Sequence, residues 1–131
     1  MKKSKLLEEM FEQVVVKKQA HLQSRYYHQE FKLYANGIEQ NYDEYIAGHE
    51  QIYKTPIQYK FRIDRDTIVD SDDKTAMRVF ITINDSIDGE KEIEVILVAY
   101  FKDNKIYRVW ELTRPDWSQM ETFRKDYFVK H

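Results

Sequence analysis

The sequence contains no cysteine and only three glycines and two prolines among its 131 residues. The absence of cysteine excludes disulfides, thiolate nucleophiles and thiolate metal sites, and it fits an intracellular protein. The scarcity of glycine and proline leaves little room for long flexible loops. Basic residues are not in excess either, because the net charge is -2 and the pI is near 6.1. The chain therefore lacks the basic character typical of nucleic-acid-binding domains.

Long apolar runs are missing as well. The N-terminal sequence MKKSKLLEEMFEQ starts with basic residues and leucines, but Glu8, Glu9 and Glu12 interrupt it. It therefore lacks the continuous apolar region of a signal peptide. No window approaches the length of a membrane span. We predict a cytoplasmic protein with neither a membrane nor a nucleic-acid partner.

The residues that are present are typical of a folded domain. Hydrophobic residues make up 42% of the chain, with ten Tyr and seven Phe. This length favours a single domain over residues 1–131. We place its core at about 6–115, followed by a tail at 116–131. The tail is predicted to form a short helix with Met120, Phe123 and Tyr127 on one side.

The N-terminal half shows helical periodicity. Residues 5–22 carry apolar side chains at i, i+3, i+4 and i+7 spacing, which predicts an amphipathic helix with Ser4 as its N-cap. A second, shorter helical piece is predicted at about 21–29. A short strand follows at 31–35, and Asn36-Gly37 then forms a turn.

The stretch NYDEYIAGHEQIY predicts a further helix. Asn41 and Glu44 have the spacing of a capping box, and Thr55-Pro56 ends the helix. His49 lies on the apolar side of this helix, directly after Gly48. A histidine on a face that should be buried makes it a candidate for function.

After Pro56 the apolar period changes from 3.6 to 2. Residues 57–64 alternate between apolar and polar side chains, and three more strands are predicted in the sequences TAMRVFITI, EIEVILVAYF and KIYRVWELT. Short links rich in turn residues join them into an antiparallel meander. Helices first and strands after predict an α+β fold with the helices on one face of the sheet.

The last hairpin has two possible registers. A two-residue loop at 103–104 pairs Phe101 with Ile106, whereas a three-residue loop pairs Phe101 with Lys105. We favour the longer loop because Asn104 tolerates the left-handed conformation that it requires. This register places the following residues on one face: Ile93, Val95, Leu97, Ala99, Phe101, Tyr107, Val109, Glu111 and Thr113.

The opposite face of this hairpin is also apolar along its middle. An antiparallel sheet with one wet face should alternate more cleanly, so this second face is expected to be covered. A second copy of the chain is the simplest cover, since a two-fold dimer needs only one self-complementary patch. The predicted homodimer interface consists of Ile96, Val98, Tyr100, Arg108 and Trp110.

The order of these elements, with the sequences RYYHQEF, ANG, YDEYIAGH and AYFKDNKIYRVWEL, resembles the nuclear transport factor 2-like superfamily, in its SnoaL-like branch. The resemblance covers residues 6–115, with Asn104 where the family usually has glycine. It implies a conical, curved antiparallel sheet packed against N-terminal helices (a cystatin-like α+β roll), with a cavity at its open end. It also implies frequent homodimers and a small-molecule ligand. Some members are isomerases, cyclases, dehydratases or epoxide hydrolases.

The chain departs from the catalytic ketosteroid isomerases of this superfamily. Those enzymes place an Asp base on the penultimate strand, where this chain has Leu97, Val98 and Ala99. Isomerase chemistry of that particular kind is therefore disfavoured. The nearest carboxylate on the inward face is Glu111.

Since helices of the family roof the cavity, the resemblance points His49 into it. Its ordinary pKa of about 6.5 suits a proton shuttle, with Glu111 as its partner and Tyr45 or Tyr53 as hydroxyl donors. The alternative is that His49 hydrogen-bonds a buried neighbour and only completes the core. We predict as ligand-binding residues Tyr27, His28, Tyr45, Tyr53, Tyr59, Leu97, Ala99, Val109 and Thr113.

Two function classes stay open at this point. One is a cofactor-free acid/base lyase or isomerase acting on a small apolar or semi-polar molecule, and the other is a non-catalytic ligand-binding or protein-interaction dimer module. We predict no metal, because His21 and His28 lack ligand spacing and no His-x-x-x-His motif is present. We also predict no cofactor. Arg78 has the chemistry to pair with Glu94 or Glu111, and the sequence leaves its facing open.

Overall fold

The structure is a computed structural model that describes residues 2–128. Four helices and six strands make up its regular structure, and the predicted α+β class is confirmed. A π-helical turn at Phe11–Val16 continues the first helix, and 3₁₀ turns lie at Ala20–Leu22 and Trp117–Gln119. The elements are α1 (Lys3–Met10), α2 (Gln23–Tyr26), β1 (Tyr27–Ala35), β2 (Ile38–Asn41), α3 (Tyr42–Ile52), β3 (Gln58–Asp70), β4 (Lys74–Asp85), β5 (Gly89–Lys102), β6 (Lys105–Arg114) and α4 (Glu121–Asp126).

The six strands form one curved, open sheet in the order β2-β1-β6-β5-β4-β3. The meander from β3 to β6 is antiparallel, as predicted, but β1 runs parallel to β6. The direction of β1 is fixed by its own hairpin with β2, which the sequence analysis did not predict. No hairpin joins β1 to β6, so that pair is free to be parallel.

Side chains alternate along the central strand of the meander. On β5 the residues at odd positions from 93 to 101 are buried, and those at even positions from 96 to 102 are exposed. The buried face meets the N-terminal helices and forms the core. The predicted inward residues of this strand are confirmed. They are Ile93, Val95, Leu97, Ala99 and Phe101.

The loop of the final hairpin is shorter than predicted. Asp103 and Asn104 both have positive φ angles, 55° and 58°, so they form a two-residue turn that pairs Phe101 with Ile106. A bulge next to Tyr100 then shifts the register, and Leu97 pairs with Glu111. The bulge restores the predicted facing for the rest of β6. The three-residue loop would place Ile106 on the outer face, but the observed turn buries it in the core.

The first helix also differs from its prediction. It begins at Lys3, and its α-helical part ends at Met10, well before the predicted Leu22. Ser4 is not the N-cap: its backbone N–H and its hydroxyl both donate to the carboxylate of Asp70, at 2.9 and 2.6 Å. A side chain from the end of β3 thus holds the start of this helix, which local sequence spacing does not reveal.

The helix α3 matches its prediction at both ends. The Asn41 side chain accepts from the Glu44 N–H, and the Glu44 carboxylate accepts from the Asn41 N–H, which completes the capping box. At the other end the Thr55 hydroxyl donates to the carbonyl of Ile52 at 2.6 Å, just before Pro56.

The segment after β6 folds back against α3 and β2. Its predicted helix is present as α4, and Met120, Phe123 and Tyr127 are buried, as expected. The Tyr127 hydroxyl donates to Gln40 Oε1 at 3.0 Å, and the Tyr127 ring lies directly against Gly48. A Cβ atom at position 48 would lie 2.8 Å from that ring. The absence of a side chain at Gly48 therefore makes room for the Tyr127 ring and lets this segment pack against α3.

Within residues 2–128, no helix has both the length and the apolar character needed to cross a membrane. The cytoplasmic location stays a prediction.

The contact between Gly48 and Tyr127 generates a test of the fold. We expect Gly48→Ala to lower the free energy of unfolding by about 1–3 kcal/mol, because the added methyl group overpacks the contact with the Tyr127 ring. In a Tyr127→Ala background the same substitution should cost less, because the ring is gone and only the backbone carbonyl at position 127, 3.0 Å from the added methyl group, stays close. Urea denaturation of the four proteins measures this coupling. Equal destabilisation in both backgrounds would contradict the packing described.

Candidate functional site

A cavity of about 110 Å³ lies inside the cone. Its walls come from the π-helical turn after α1, from α3 and the residue that follows it, from the inner face of the sheet, and from the C-terminal segment. The wall is mainly aliphatic and aromatic, with a few polar groups. Its lining residues are Phe11, Val15, Leu33, Tyr45, His49, Tyr53, Tyr59, Ile81, Ile83, Ile93, Val95, Glu111, Thr113, Trp117 and Phe123.

A smaller cavity of about 50 Å³ adjoins the first one. Phe11, Leu33, Tyr45 and Glu111 line both cavities and form the partition between them. The inward carboxyl group of Glu111 thus lies where the two spaces meet.

The structure brings most of the predicted site residues to these two spaces. His49, Glu111, Tyr45, Tyr53, Tyr59 and Thr113 line the larger cavity, and Tyr27, Leu97 and Val109 line the smaller one.

Two predicted ligand-binding residues line neither cavity. Ala99 faces inward but is completely buried in the core. His28 packs edge-on against Tyr107 and lies 3.6 Å from the Asp103 carboxylate near the last turn. The role of these two residues in ligand binding stays a prediction that the two cavities do not support. Parity along a strand places a side chain on a face, but it does not separate core from cavity.

The imidazole of His49 is held by its own helix. Its Nδ1 lies 2.9 Å from the backbone carbonyl of Tyr45, so Nδ1 carries the proton and donates, because a carbonyl can only accept. Nε2 is then an acceptor on a group that lines the cavity. Burial lowers the pKa of His49 to about 4, against a smaller opposing effect of the Tyr45 carbonyl. His49 is neutral at pH 7, and it is better suited to accept a hydrogen bond than to donate a proton.

The same burial shifts the pKa of Glu111 in the opposite direction. Removal from water raises the pKa of its carboxyl to about 7, and the side chain of Trp117, as a hydrogen-bond donor, opposes part of this rise. Among the described residues that line the cavity there is no Lys or Arg to counter its charge. A carboxyl group that titrates near neutrality can both take and give a proton at pH 7.

The tyrosines of the cavity differ in how free their hydroxyls are. The Tyr27 hydroxyl lies 3.3 Å from Met10 Sδ and 3.0 Å from the Tyr45 hydroxyl. If Tyr27 donates to the sulfur, Tyr45 donates to Tyr27, and its hydroxyl proton is already engaged. The Tyr59 hydroxyl, by contrast, is buried with no hydrogen-bond partner within residues 2–128. Burial raises the pKa of Tyr53 and Tyr59, so both stay protonated donors.

Sequence reasoning missed the contribution of the C-terminal segment to the site. Trp117 and Phe123 line the larger cavity, and Trp117 packs edge-on against Phe123 and Tyr127. The buried side of the predicted tail helix was recognisable from its periodicity. Its docking over the cavity was not, because that contact is made with residues distant in sequence.

Arg78, whose facing was left open, lies on the outer face of the sheet. Its guanidinium pairs with Glu94 at 2.6 Å and with Asp64 at 3.2 Å, and Arg114 also pairs with Glu94. This network is remote from Glu111 and belongs to the outer surface. Within residues 2–128, no group of acidic and histidine side chains has an arrangement that could hold a metal ion.

Comparison with solved structures identifies the fold. PrhC from Penicillium brasilianum aligns with a TM-score of 0.70 at 19% identity, covering 85% of this chain and 81% of that chain. IdmH from Streptomyces antibioticus aligns with a TM-score of 0.66 at 13% identity, covering 85% and 91%. An LEH-like epoxide hydrolase of M. tuberculosis aligns with a TM-score of 0.67 at 9% identity, covering 80% and 77%. No family model and no curated protein sequence matches the chain.

An open, curved sheet with helices packed on it defines a cone-shaped α+β fold. Its likeness to these structures shows that the chain has the fold of the nuclear transport factor 2-like superfamily, as the sequence resemblance predicted. At these identities the likeness concerns the fold and not the activity.

The raised pKa of Glu111 generates a pH-dependent stability. Below the ordinary pKa of a glutamate both states are protonated, so Glu111 has no effect on unfolding. Between that value and about 7 the unfolded state alone loses the proton, and stability falls as the pH rises.

We therefore expect Glu111→Gln to be stabilising relative to the natural protein by up to about 3 kcal/mol at pH 8, and by much less at pH 4.5. Urea denaturation at the two pH values measures the difference. Glu50→Gln, an exposed change on α3, is the control and should show no such trend. If Glu111→Gln has the same effect at both pH values, Glu111 is not a buried carboxyl with a raised pKa.

Proposed function

We propose that this protein binds a small semi-polar molecule in the larger cavity and performs cofactor-free acid/base chemistry on it, as a lyase or an isomerase. The observation that carries the proposal is the Glu111 carboxyl, which faces an aromatic-lined cavity with a pKa of about 7. Such tuning is common at functional sites, because it matches a group to proton transfer at physiological pH. The occurrence of an LEH-like epoxide hydrolase on the same fold supports an enzymatic use of this kind of cavity.

In this proposal Glu111 is the proton-transfer group and His49 has a different role from the shuttle first predicted. The ionised Glu111 takes a proton from a carbon atom of the substrate. It returns that proton to another carbon, which isomerises the substrate, or to a leaving hydroxyl, which releases water. His49 accepts a hydrogen bond at Nε2 and so orients a substrate donor. The free hydroxyl of Tyr59 donates to the substrate oxygen that gains negative charge.

A second candidate function is non-catalytic binding in the same cavity. It is favoured by the engaged Nδ1 of His49 and by the hydrogen bond between the Tyr45 and Tyr27 hydroxyls, which are also expected of groups that only complete a core. Both candidates require a molecule in the cavity. They differ in whether Glu111→Gln abolishes turnover or changes only affinity.

Protein purified from its host is expected to carry a small molecule in the larger cavity. Native mass spectrometry before and after denaturation should detect it, and a crystal structure of the same preparation should place it beside Glu111. Val95→Phe fills the cavity and should remove the molecule. Val69→Phe, the same change at a position of β3 that is 66% exposed, should leave it in place. Equal retention by both variants would place the molecule elsewhere.

We also propose that the outer face of the sheet forms a homodimer. Its apolar residues are exposed although they lie in the middle of the sheet: Trp110 is 41% exposed and Leu112 is 69% exposed. The Trp110 ring stacks on Tyr34 and meets Tyr100 edge-on, so the patch is preformed and rigid. A second copy can cover it about a two-fold axis, because the patch lies across neighbouring strands and can meet itself. The exposed side chains are Ile96, Val98, Tyr100, Trp110 and Leu112.

Size-exclusion chromatography with light scattering tests this assembly. We expect the natural protein to elute as a dimer and Trp110→Asp as a folded monomer, since the new charge lies at the centre of the patch. Ile87→Asp is the matched control, because Ile87 is an exposed apolar residue in the loop between β4 and β5. That control should stay dimeric. A dimer that persists in Trp110→Asp would exclude this face.

A further inference from the structure

Aromatic rings surround much of the space that Glu111 faces. Tyr45 lies on α3 and Tyr53 directly after it, Tyr59 lies on β3, Phe11 comes from the first helical segment, and Trp117 and Phe123 come from the C-terminal segment. Tyr53 meets Tyr59 edge-on with ring centroids 5.9 Å apart. The faces of aromatic rings carry partial negative charge, so a wall of this kind favours positively charged alkyl groups.

The charge of the cavity points in the same direction. Glu111 is the only acidic residue in the lining, and the lining within the described residues contains no Lys or Arg. His49 is neutral at pH 7, so it cannot be the positively charged partner of Glu111. Buried charges in proteins are nearly always paired, and this carboxylate has no cationic partner of its own. A cation brought in by the ligand would supply the missing partner.

The space limits the size of that ligand. A cavity of about 150 Å³ suffices for a molecule as large as benzene, and this one has about 110 Å³ with a further 50 Å³ beside it. A ligand that fits without opening the fold has only a handful of non-hydrogen atoms. A large amphiphile or a nucleotide does not fit.

We infer that the ligand is a small organic ammonium ion, whose charge pairs with the carboxylate of Glu111 and whose alkyl groups lie against the surrounding rings. This inference rests on the proposed function, because it names the substrate class of the same site. An anionic ligand meets the Glu111 charge and finds no cationic side chain. A neutral ligand leaves the carboxylate either unpaired or protonated. An ammonium ion also lowers the pKa of Glu111 and so keeps its carboxylate ionised at neutral pH.

The pH dependence of binding follows from the groups that face Glu111. These are Tyr45 and His49 on α3, Tyr53 directly after α3, Tyr59 on β3, Tyr27 on β1, and Tyr127 after α4. The tyrosines stay protonated and His49 stays neutral between pH 6 and pH 8, so Glu111 alone changes charge there. Ammonium binding should therefore strengthen as the pH rises through the Glu111 pKa.

The experiment compares two probes of nearly equal shape, tert-butylammonium chloride and tert-butanol. NMR titration, followed at the Trp117 indole N–H, measures the affinity of the natural protein for each probe at pH 6 and at pH 8. The ammonium probe keeps its proton over this range. We expect it to bind at least about tenfold more tightly than tert-butanol at pH 8. Its affinity should fall about tenfold at pH 6, with little change for the alcohol.

Two variants separate the charge from the shape of the site. Glu111→Gln should remove both the preference for the ammonium probe and its pH dependence, while Glu50→Gln on the exposed side of α3 should change neither. The comparison within the natural protein needs no variant, so it stands even if Glu111→Gln is unstable.

The outcomes bear on the two proposals separately. Equal or tighter binding of tert-butanol overturns the ammonium inference but leaves the cavity and its acid/base function in place. Binding of neither probe at millimolar concentration also overturns the inference, and the pKa of Glu111, followed in the same spectra, then decides on the acid/base function. An ordinary glutamate pKa there would overturn the proposed function as well.

Discussion

This site depends on the burial of the Glu111 carboxyl, which lies away from water and has no cationic side chain beside it among the described residues of the cavity lining. Inside the cone the same loss of hydration acts with opposite sign on the two ionisable groups, because it disfavours whichever form is charged. It raises the pKa of the Glu111 carboxyl to about 7 and lowers that of His49 to about 4. At neutral pH the imidazole is therefore an acceptor, and the carboxyl is the group able to exchange a proton.

The parts of the fold that depend on local rules were predictable. The capping box at Asn41 and the end of α3 before Pro56 follow from residues close in sequence. The inward facing of Glu111 was also predicted, although its derivation contained an error. The loop at 103–104 has two residues and not three, and the bulge beside Tyr100 supplies the missing shift. Strand parity was preserved because a shorter loop and an extra residue offset each other.

The rest depended on contacts that sequence spacing does not encode. Ala99 and Val95 lie on the same face of β5, yet Ala99 is covered in the core and Val95 lines the cavity. The difference is set by where the helices rest on the sheet. Asp70 fixes the start of α1 from across the fold, and Trp117 reaches the cavity from beyond the last strand. His28 lies away from both cavities for the same reason, since its position follows from packing against Tyr107.

The packing of the Tyr127 ring against Gly48 has a consequence for the kinetics of ligand exchange. Trp117 and Phe123 form one side of the cavity, and the segment that carries them is anchored by the Tyr127 ring and by its hydrogen bond to Gln40. A molecule that passes on this side must wait for the segment to detach. Its residence time is then governed by the free energy of a local opening more than by the strength of its own contacts. A tightly docked segment slows the binding and the release of the molecule by the same factor. Its affinity for the cavity then stays unchanged, while its rate of exchange falls.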